Sequence, residues 1–418
     1  MLLFVDIGIL LLVSLAPAFA LFEHKASVTT PELGVETFVE AISGPTTMAF
    51  AGNDILVLQK NDGKVRLVRD GVLQMEPVLD VNVANEGEQG LLGIAVSGST
   101  VYLYFSESLH DGENAVSRRV YKYNWDGQQL QNQELVKDMK STQTYHNGGG
   151  ITTGPDSTVY LAVGDTGRYG ILQNHGPNST FYPDTSAIIP VAPEGPYYAI
   201  GVRNSFGIAF DPFTGAMWDT ENGDDSYDEI NMVKPYMNSG WEKVMGPSDT
   251  TALARLPQYL NYTYSEPEFS WEQPVAPTGL SFVRAEPLAD FNDSLFVGDC
   301  NTGSLYRFVM NEQRDGFVFS SKELKDGVAN MGEKADEIVF GTGFGCITDL
   351  ETGPDGLLYI TSYSRGAIFR LVPADHVASP PAQGQEFMIL IYIIAGTAGT
   401  GAIVHLVMRR RKKTRYGL

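Results

Sequence analysis

The sequence predicts an all-β fold, a six-bladed β-propeller, and three observations carry that prediction. A hairpin pattern recurs: Gly154-Pro155-Asp156 before VYLAVGD, Asp211-Pro212-Phe213 before AMWDTEN, and Gly353-Pro354-Asp355 before LLYITSY. Looser copies at Asn53 to Lys60 (NDILVLQK), Gly98 to Ser106 (GSTVYLYFS) and Asn292 to Asp299 (NDSLFVGD) bring the hairpins to six. Each is followed by a further strand-like run such as VRLV, VYKYNW, SLYRFV or AIFRLV, while 44 glycines suit short strands joined by turns and no long helical periodicity competes. Units of roughly four strands, spaced a little wider than the ~40–50 residues of common propeller repeats, hide their sheet edges by closing around a central channel.

The remaining elements follow in chain order. Leu2 to Val13 is an apolar run ahead of the small-x-small site Ala18-Phe19-Ala20, which reads as a signal peptide over 1–20. Its start carries no Lys or Arg and contains Asp6, so an uncleaved anchor stands as the other reading. The propeller is expected over 21–374, and 375–386, with Pro380-Pro381, reads as a short stiff stalk. Phe387 to Met408 is apolar and long enough to form a single transmembrane helix, with His405 near its cytoplasmic end. The tail at 409–418 opens Arg409-Arg410-Arg411-Lys412-Lys413, so the positive-inside rule places it in the cytoplasm and the propeller outside the cell membrane. Sequons at Asn178, Asn261 and Asn292 agree with that side, as glycosylation would require.

Acidic residues outnumber basic ones 50 to 29, for a net charge of −21, and six of the cations lie in the last ten residues. A globule this acidic repels nucleic acid, which removes that class of partner. Most of the charge reads as a solubilising surface; metal binding needs only a few of the acids.

The stretch from Tyr198 to Asn231 folds back on itself, so that Arg203-Asn204 stands beside Asn222-Gly223-Asp224. Counting along the repeat extends this juxtaposition. His146 and Arg203 lie nine positions before Pro155 and Pro212, and Asp165 and Asn222 lie ten positions after them. All four therefore ring one mouth of the channel, with His146 facing Asp165 across a hairpin. A His steadied by a carboxylate, beside an Arg, assembles a general base and an electrostatic stabiliser. A turn-capping role is the other reading for each residue singly. The loop Asn222 to Glu229 is rich in hard oxygen donors that suit Ca²⁺, or else is a solvated acidic turn. Cys300 ends a returning strand and Cys346 starts an innermost strand on the adjacent unit, so these two cysteines are expected to form a disulfide at the same mouth.

These motifs carry a family resemblance. Gly87-Glu88-Gln89-Gly90-Leu91-Leu92-Gly93, His146-Asn147-Gly148-Gly149, Gly164-Asp165-Thr166-Gly167-Arg168, Gly201-Val202-Arg203-Asn204, Asp228-Glu229-Ile230-Asn231 with Gly240-Trp241, and Gly353-Pro354-Asp355-Gly356 occur in order between Gly34 and Pro373. The chain thereby resembles the glucose/sorbosone dehydrogenase family, which takes in quinoprotein glucose dehydrogenases, aldose sugar dehydrogenases and the related domain of hedgehog-interacting proteins. The resemblance implies pyrroloquinoline quinone (PQQ) over Ca²⁺ at the channel mouth, and a His that takes a proton from a sugar hydroxyl while hydride passes to the quinone. By that likeness His146 is the base, Asp165 its partner, and Arg203 and Asn204 contact the quinone. Gly223 and Asp224 would hold the cofactor's Ca²⁺, and Glu229 with Ser239 a second, structural one.

The chain departs from the family at the quinone's carboxylates. Asn301 stands where the glucose dehydrogenases have Lys, Cys346-Ile347-Thr348-Asp349 stands where they place two Arg before an Asp, and Glu88 replaces a Gln that contacts the cofactor. Each lost charge-assisted bond is worth ~1.5–3 kcal/mol. Two functions follow. The first is a membrane-anchored oxidoreductase acting on an aldose sugar or related alcohol through His146, with a membrane electron acceptor as its redox partner. The second is a non-catalytic Ca²⁺-binding propeller that holds a glycan or protein partner.

Overall fold

The three closely matching hairpins fold where their pattern places them, because an aspartate locks each turn. Asp156 accepts the Thr158 N–H at 3.0 Å, Asp211 the Phe213 N–H at 3.0 Å and Asp355 the Leu357 N–H at 3.2 Å. Such Asx-type bonds replace the backbone pairing that a tight turn cannot make. In the computed structural model the described residues are 25–167, 183–284, 286–376, 391–395 and 402–406. The expected signal peptide at 1–20, most of the stalk, the basic tail at 409–418 and the Asn178 sequon lie outside them.

Six sheets carry four to six strands each. Their innermost strands are Pro45–Ala51, Leu91–Ser97, Ile151–Thr153, Gly207–Phe210, Pro277–Phe282 and Ile347–Thr352, and each touches the next until the last touches the first. That closed ring makes the all-β fold a propeller. The strand behind each inner one is buried along nearly its whole length, as at Val159–Val163, Met217–Glu221 and Leu358–Ser362. These strands are buried on both faces because every sheet packs between two others, and their polar members, Asp219, Thr220, Glu221, Thr361 and Ser362, are buried with them. Leu56, Leu67, Leu103 and Phe105 fill the space between the first and second sheets; Trp218, Phe282, Leu295 and Phe308 fill that between the fourth and fifth. Burying one such side chain contributes about 1.5–3 kcal/mol.

The ring is closed by the two ends of the folded region. Leu33–Val39 pairs antiparallel with Ala367–Pro373, Leu33 opposite Pro373, and Arg370 reinforces the seam with an ion pair to Glu36 at 2.7 Å. The outer strands of the third and fourth sheets also come from far along the chain, Thr263–Tyr264 and Val328–Ala329 respectively. Among the described residues the α-helix is a single six-residue segment, Thr250–Arg255, capped by Asp249.

The expected transmembrane helix over Phe387 to Met408 lies mostly outside the described residues. Ile391–Ala395 and Ala402–Leu406 pair as antiparallel strands, and no described helix is long and apolar enough to cross a membrane.

Candidate functional site

His146 leaves the second sheet and enters the third through a loop that only close backbone packing permits. Its φ is 56°, in the left-handed region that costs a non-glycine residue about 1–3 kcal/mol. Glu88 offsets that cost by accepting the His146 N–H at 2.8 Å and the Asn204 side-chain amide at 3.0 Å. Gly164 allows the approach, since a Cβ there would meet His146 O at 2.5 Å and Arg203 O at 2.7 Å. The loops of the third and fourth sheets are thereby pressed together.

This brings the predicted pair into contact. His146 Nδ1 lies 2.6 Å from Asp165 Oδ1, with the His side chain 17% exposed and the Asp fully buried. Trp241 donates its indole N–H to the other oxygen, Asp165 Oδ2, at 2.6 Å, and the Gly167 N–H reaches Oδ1 at 3.1 Å. With an ionised Asp165, Nδ1 carries the proton and Nε2 is left as the acceptor. That is the state a general base needs.

Arg203 stands beside this pair. Its guanidinium donates to Asn222 O at 2.8 Å and pairs with Asp224 at 3.0 Å, while its carbon sits 5.1 Å from the Trp241 ring. Its backbone N–H is received by buried Glu221 at 2.6 Å, and its Nε is buried without a hydrogen-bond partner among the described residues. Trp241 and Glu221 carry this arrangement, and sequence reasoning missed both. Trp241 had stood only as part of a motif, and Glu221 ends the strand Met217–Glu221, whose sequence MWDTE does not show which acid meets Arg203.

His146, Arg203, Asn204 and Asp224 open on a cavity of about 570 Å³ at one mouth of the channel. The far wall holds Asn301, Thr348 and the Cys300–Cys346 disulfide, which joins the fifth and sixth sheets as expected. Asn301 donates to Pro274 O at 3.3 Å and Thr348 to Pro45 O at 3.1 Å. Lys60 and Glu88 complete the rim. Lys60 was also missed, although it follows its returning strand directly, as Asn222 does.

The predicted metal residues fall into two places. Gly223 and Asp224 line the mouth, with the Gly223 N–H given to Asp228 at 2.8 Å. Glu229 and Ser239 lie behind it, Ser239 donating to Glu221 at 2.6 Å and Glu229 accepting from Gly246 N–H. Burial pushes the Glu221 carboxyl up to about 7, and those of Asp219 and Glu229 well above the carboxylate range. A proton or a cation must offset their charge. Asn231 Oδ1 is buried beside them without a partner, so the donor set fits a hard cation such as Ca²⁺. Among the described residues, however, no three His, Cys, Asp or Glu converge on one metal position.

Known proteins share this architecture. The chain is 22% identical over 366 residues to the aldose sugar dehydrogenase YliI of Escherichia coli strain K12, covering 82% of this chain and 94% of that protein. It is 26% identical over 252 residues to the quinoprotein glucose dehydrogenase B of Acinetobacter calcoaceticus, covering 50% of this chain and 52% of that protein. The solved PQQ-bound aldose sugar dehydrogenase of Streptomyces coelicolor superposes with a TM-score of 0.59 at 21% identity, covering 82% and 98% of the two chains, which shows a common fold. The family model for glucose/sorbosone dehydrogenases matches residues 42–370, from just before the inner strand Pro45–Ala51 into Ala367–Pro373, and the chain belongs to that family.

Proposed function

We propose that the protein is a six-bladed, PQQ-dependent oxidoreductase acting on an aldose sugar or related alcohol, each of its six sheets serving as one blade. One observation carries the reading: His146 Nδ1 bonded to a fully buried Asp165, beside Arg203, on the wall of a cavity large enough for a small ligand. The cavity residues fit the quinone. Lys60 and Arg203 supply positive charge, Asn204, Asn301 and Thr348 supply polar atoms, and the partnerless Arg203 Nε supplies a donor. When bound, the quinone supplies a hydride acceptor. The chain supplies the rest. His146 Nε2 takes the proton of the sugar hydroxyl, Asp165 holds the ring upright and offsets the imidazolium charge, and Arg203 stabilises negative charge developing across the mouth.

Calcium belongs to the same reading, with Glu229, Glu221 and Asn231 as candidate holders behind the mouth and Gly223 and Asp224 at it. So does a position outside the cytoplasm with a membrane anchor. The disulfide and the exposed sequon residues Asn261 and Asn292 support that side. The test is dye reduction by purified protein with added PQQ, Ca²⁺ and a panel of aldoses. Sugar-dependent reduction that disappears in His146→Ala is the expected result, and quinone binding without reduction by any sugar counts against it.

A second reading, a propeller that binds a glycan or protein without catalysis, is favoured by one feature. The disulfide and Asn301 occupy the wall where the family resemblance expects cations, and Glu88, Asp224 and Asp228 line the same cavity.

A further inference from the structure

Among the described residues lining the mouth cavity, the Lys and Arg side chains are Lys60 and Arg203. Arg203 is committed, paired with Asp224, bonded to Asn222 O and stacked on Trp241. Lys60 is differently placed. Its ammonium donates to two neutral acceptors, Gly87 O at 2.8 Å and Asn61 Oδ1 at 3.4 Å, and no ion pair involves it among the described residues. An ammonium has three donors, so one remains for a ligand. Burial lowers its pKa and the Glu88 carboxylate acts against that, so a second anion beside it would be favoured over water.

The repeat explains how a cation came to stand here. Lys60 directly follows the returning strand Asp54–Gln59 of the first sheet, and Asn301 stands two residues past the returning strand Ser294–Asp299 of the fifth. The two occupy nearly equivalent repeat positions on opposite sides of the sixth sheet, with the disulfide wall between them. A lysine at 301 would point at the mouth from one side of that wall; Lys60 reaches it from the other.

We propose that Lys60 grips a carboxylate of the ligand seated in the mouth, taking the place that the family resemblance gives to a lysine at position 301. The inference rests on the quinone reading above and adds to it the residue that holds one end of the tricarboxylate. Charge, not packing, is the recognising feature, so a ligand with the same ring but esterified carboxyls gains nothing from Lys60.

The experiment is a fluorescence titration of the purified protein with PQQ and with its trimethyl ester, in wild type, Lys60→Met and Lys60→Arg, each with a melting curve. Lys60→Met is expected to weaken PQQ by about tenfold or more, the size of one charge-assisted bond, and to leave ester affinity unchanged. Lys60→Arg is expected to keep the preference for the acid. Because acid and ester are compared within one variant, a loss of stability in Lys60→Met does not obscure the result. Equal weakening of acid and ester assigns Lys60 to bracing the Gly87–Glu88 loop and overturns the proposal. Tight PQQ binding unaffected by either variant also overturns it and leaves the quinone reading standing. Absence of any binding by wild type removes both.

Discussion

Trp241 gives its indole N–H to Asp165 at 2.6 Å, so the carboxylate facing His146 is held from behind by a buried ring. The same ring lies under the Arg203 guanidinium. One side chain therefore sets the position of both the base's partner and the neighbouring cation. Trp241→Phe keeps the stacking surface and removes the bond, and should lower kcat by about tenfold with a small change in KM. Asp165→Asn should cost more, about 10²–10⁴, because an amide can present the wrong partner to Nδ1. Steady-state dye reduction reads both. Equal loss in the two variants would mean that the Trp241 bond, and not the carboxylate charge, is what matters.

Chelation should destabilise the protein. Glu221 and Glu229 are buried in neighbouring strands with Asn231 Oδ1 unpartnered beside them. A cation bound there stabilises only the folded state. EDTA is expected to lower Tm, and Glu229→Gln to blunt the effect. Superimposable melting curves with and without chelator would show that protons alone balance these acids.

Glu268 makes stability fall as pH rises. Burial lifts its carboxyl from the ordinary 4.5 to about 7, while its side chain accepts the Met232 N–H. Below about 4.5 the group is protonated in both folded and unfolded chains and contributes nothing. Between there and about 7 the folded chain holds more protons, so stability falls with pH, by up to about 3 kcal/mol. Urea melts across this window should show the slope, and Glu268→Gln should flatten it. A variant that keeps the full slope assigns it to other acids.

The disulfide closes a span of 46 residues between the fifth and sixth sheets. Removing it as the double variant Cys300→Ser/Cys346→Ser is expected to cost about 2–4 kcal/mol, by freeing the unfolded chain. The readout is the denaturation midpoint, with an m-value that rises as the freed unfolded chain exposes more surface. The same variant tests the wall of the mouth. Unchanged ligand affinity with reduced stability makes the bond a staple only, whereas altered affinity makes it part of the site.

Much of this was legible in the sequence, for a specific reason. The hairpins and their aspartate-locked turns are local, and the repeat copies each position from one sheet to the next. Counting along it therefore brought His146 to Asp165 and Arg203 to Asn222, and put Cys300 near Cys346. Only the tertiary structure decided the rest. The pairing of Leu33–Val39 with Ala367–Pro373 joins segments more than 300 residues apart, and no local pattern announces it. Trp241 behind Asp165, Glu221 under Arg203 and Lys60 on the rim depend on which sheets become neighbours when the ring closes. A residue's own sequence surroundings fix its strand and its turn; the charge it meets across the channel is fixed by closure.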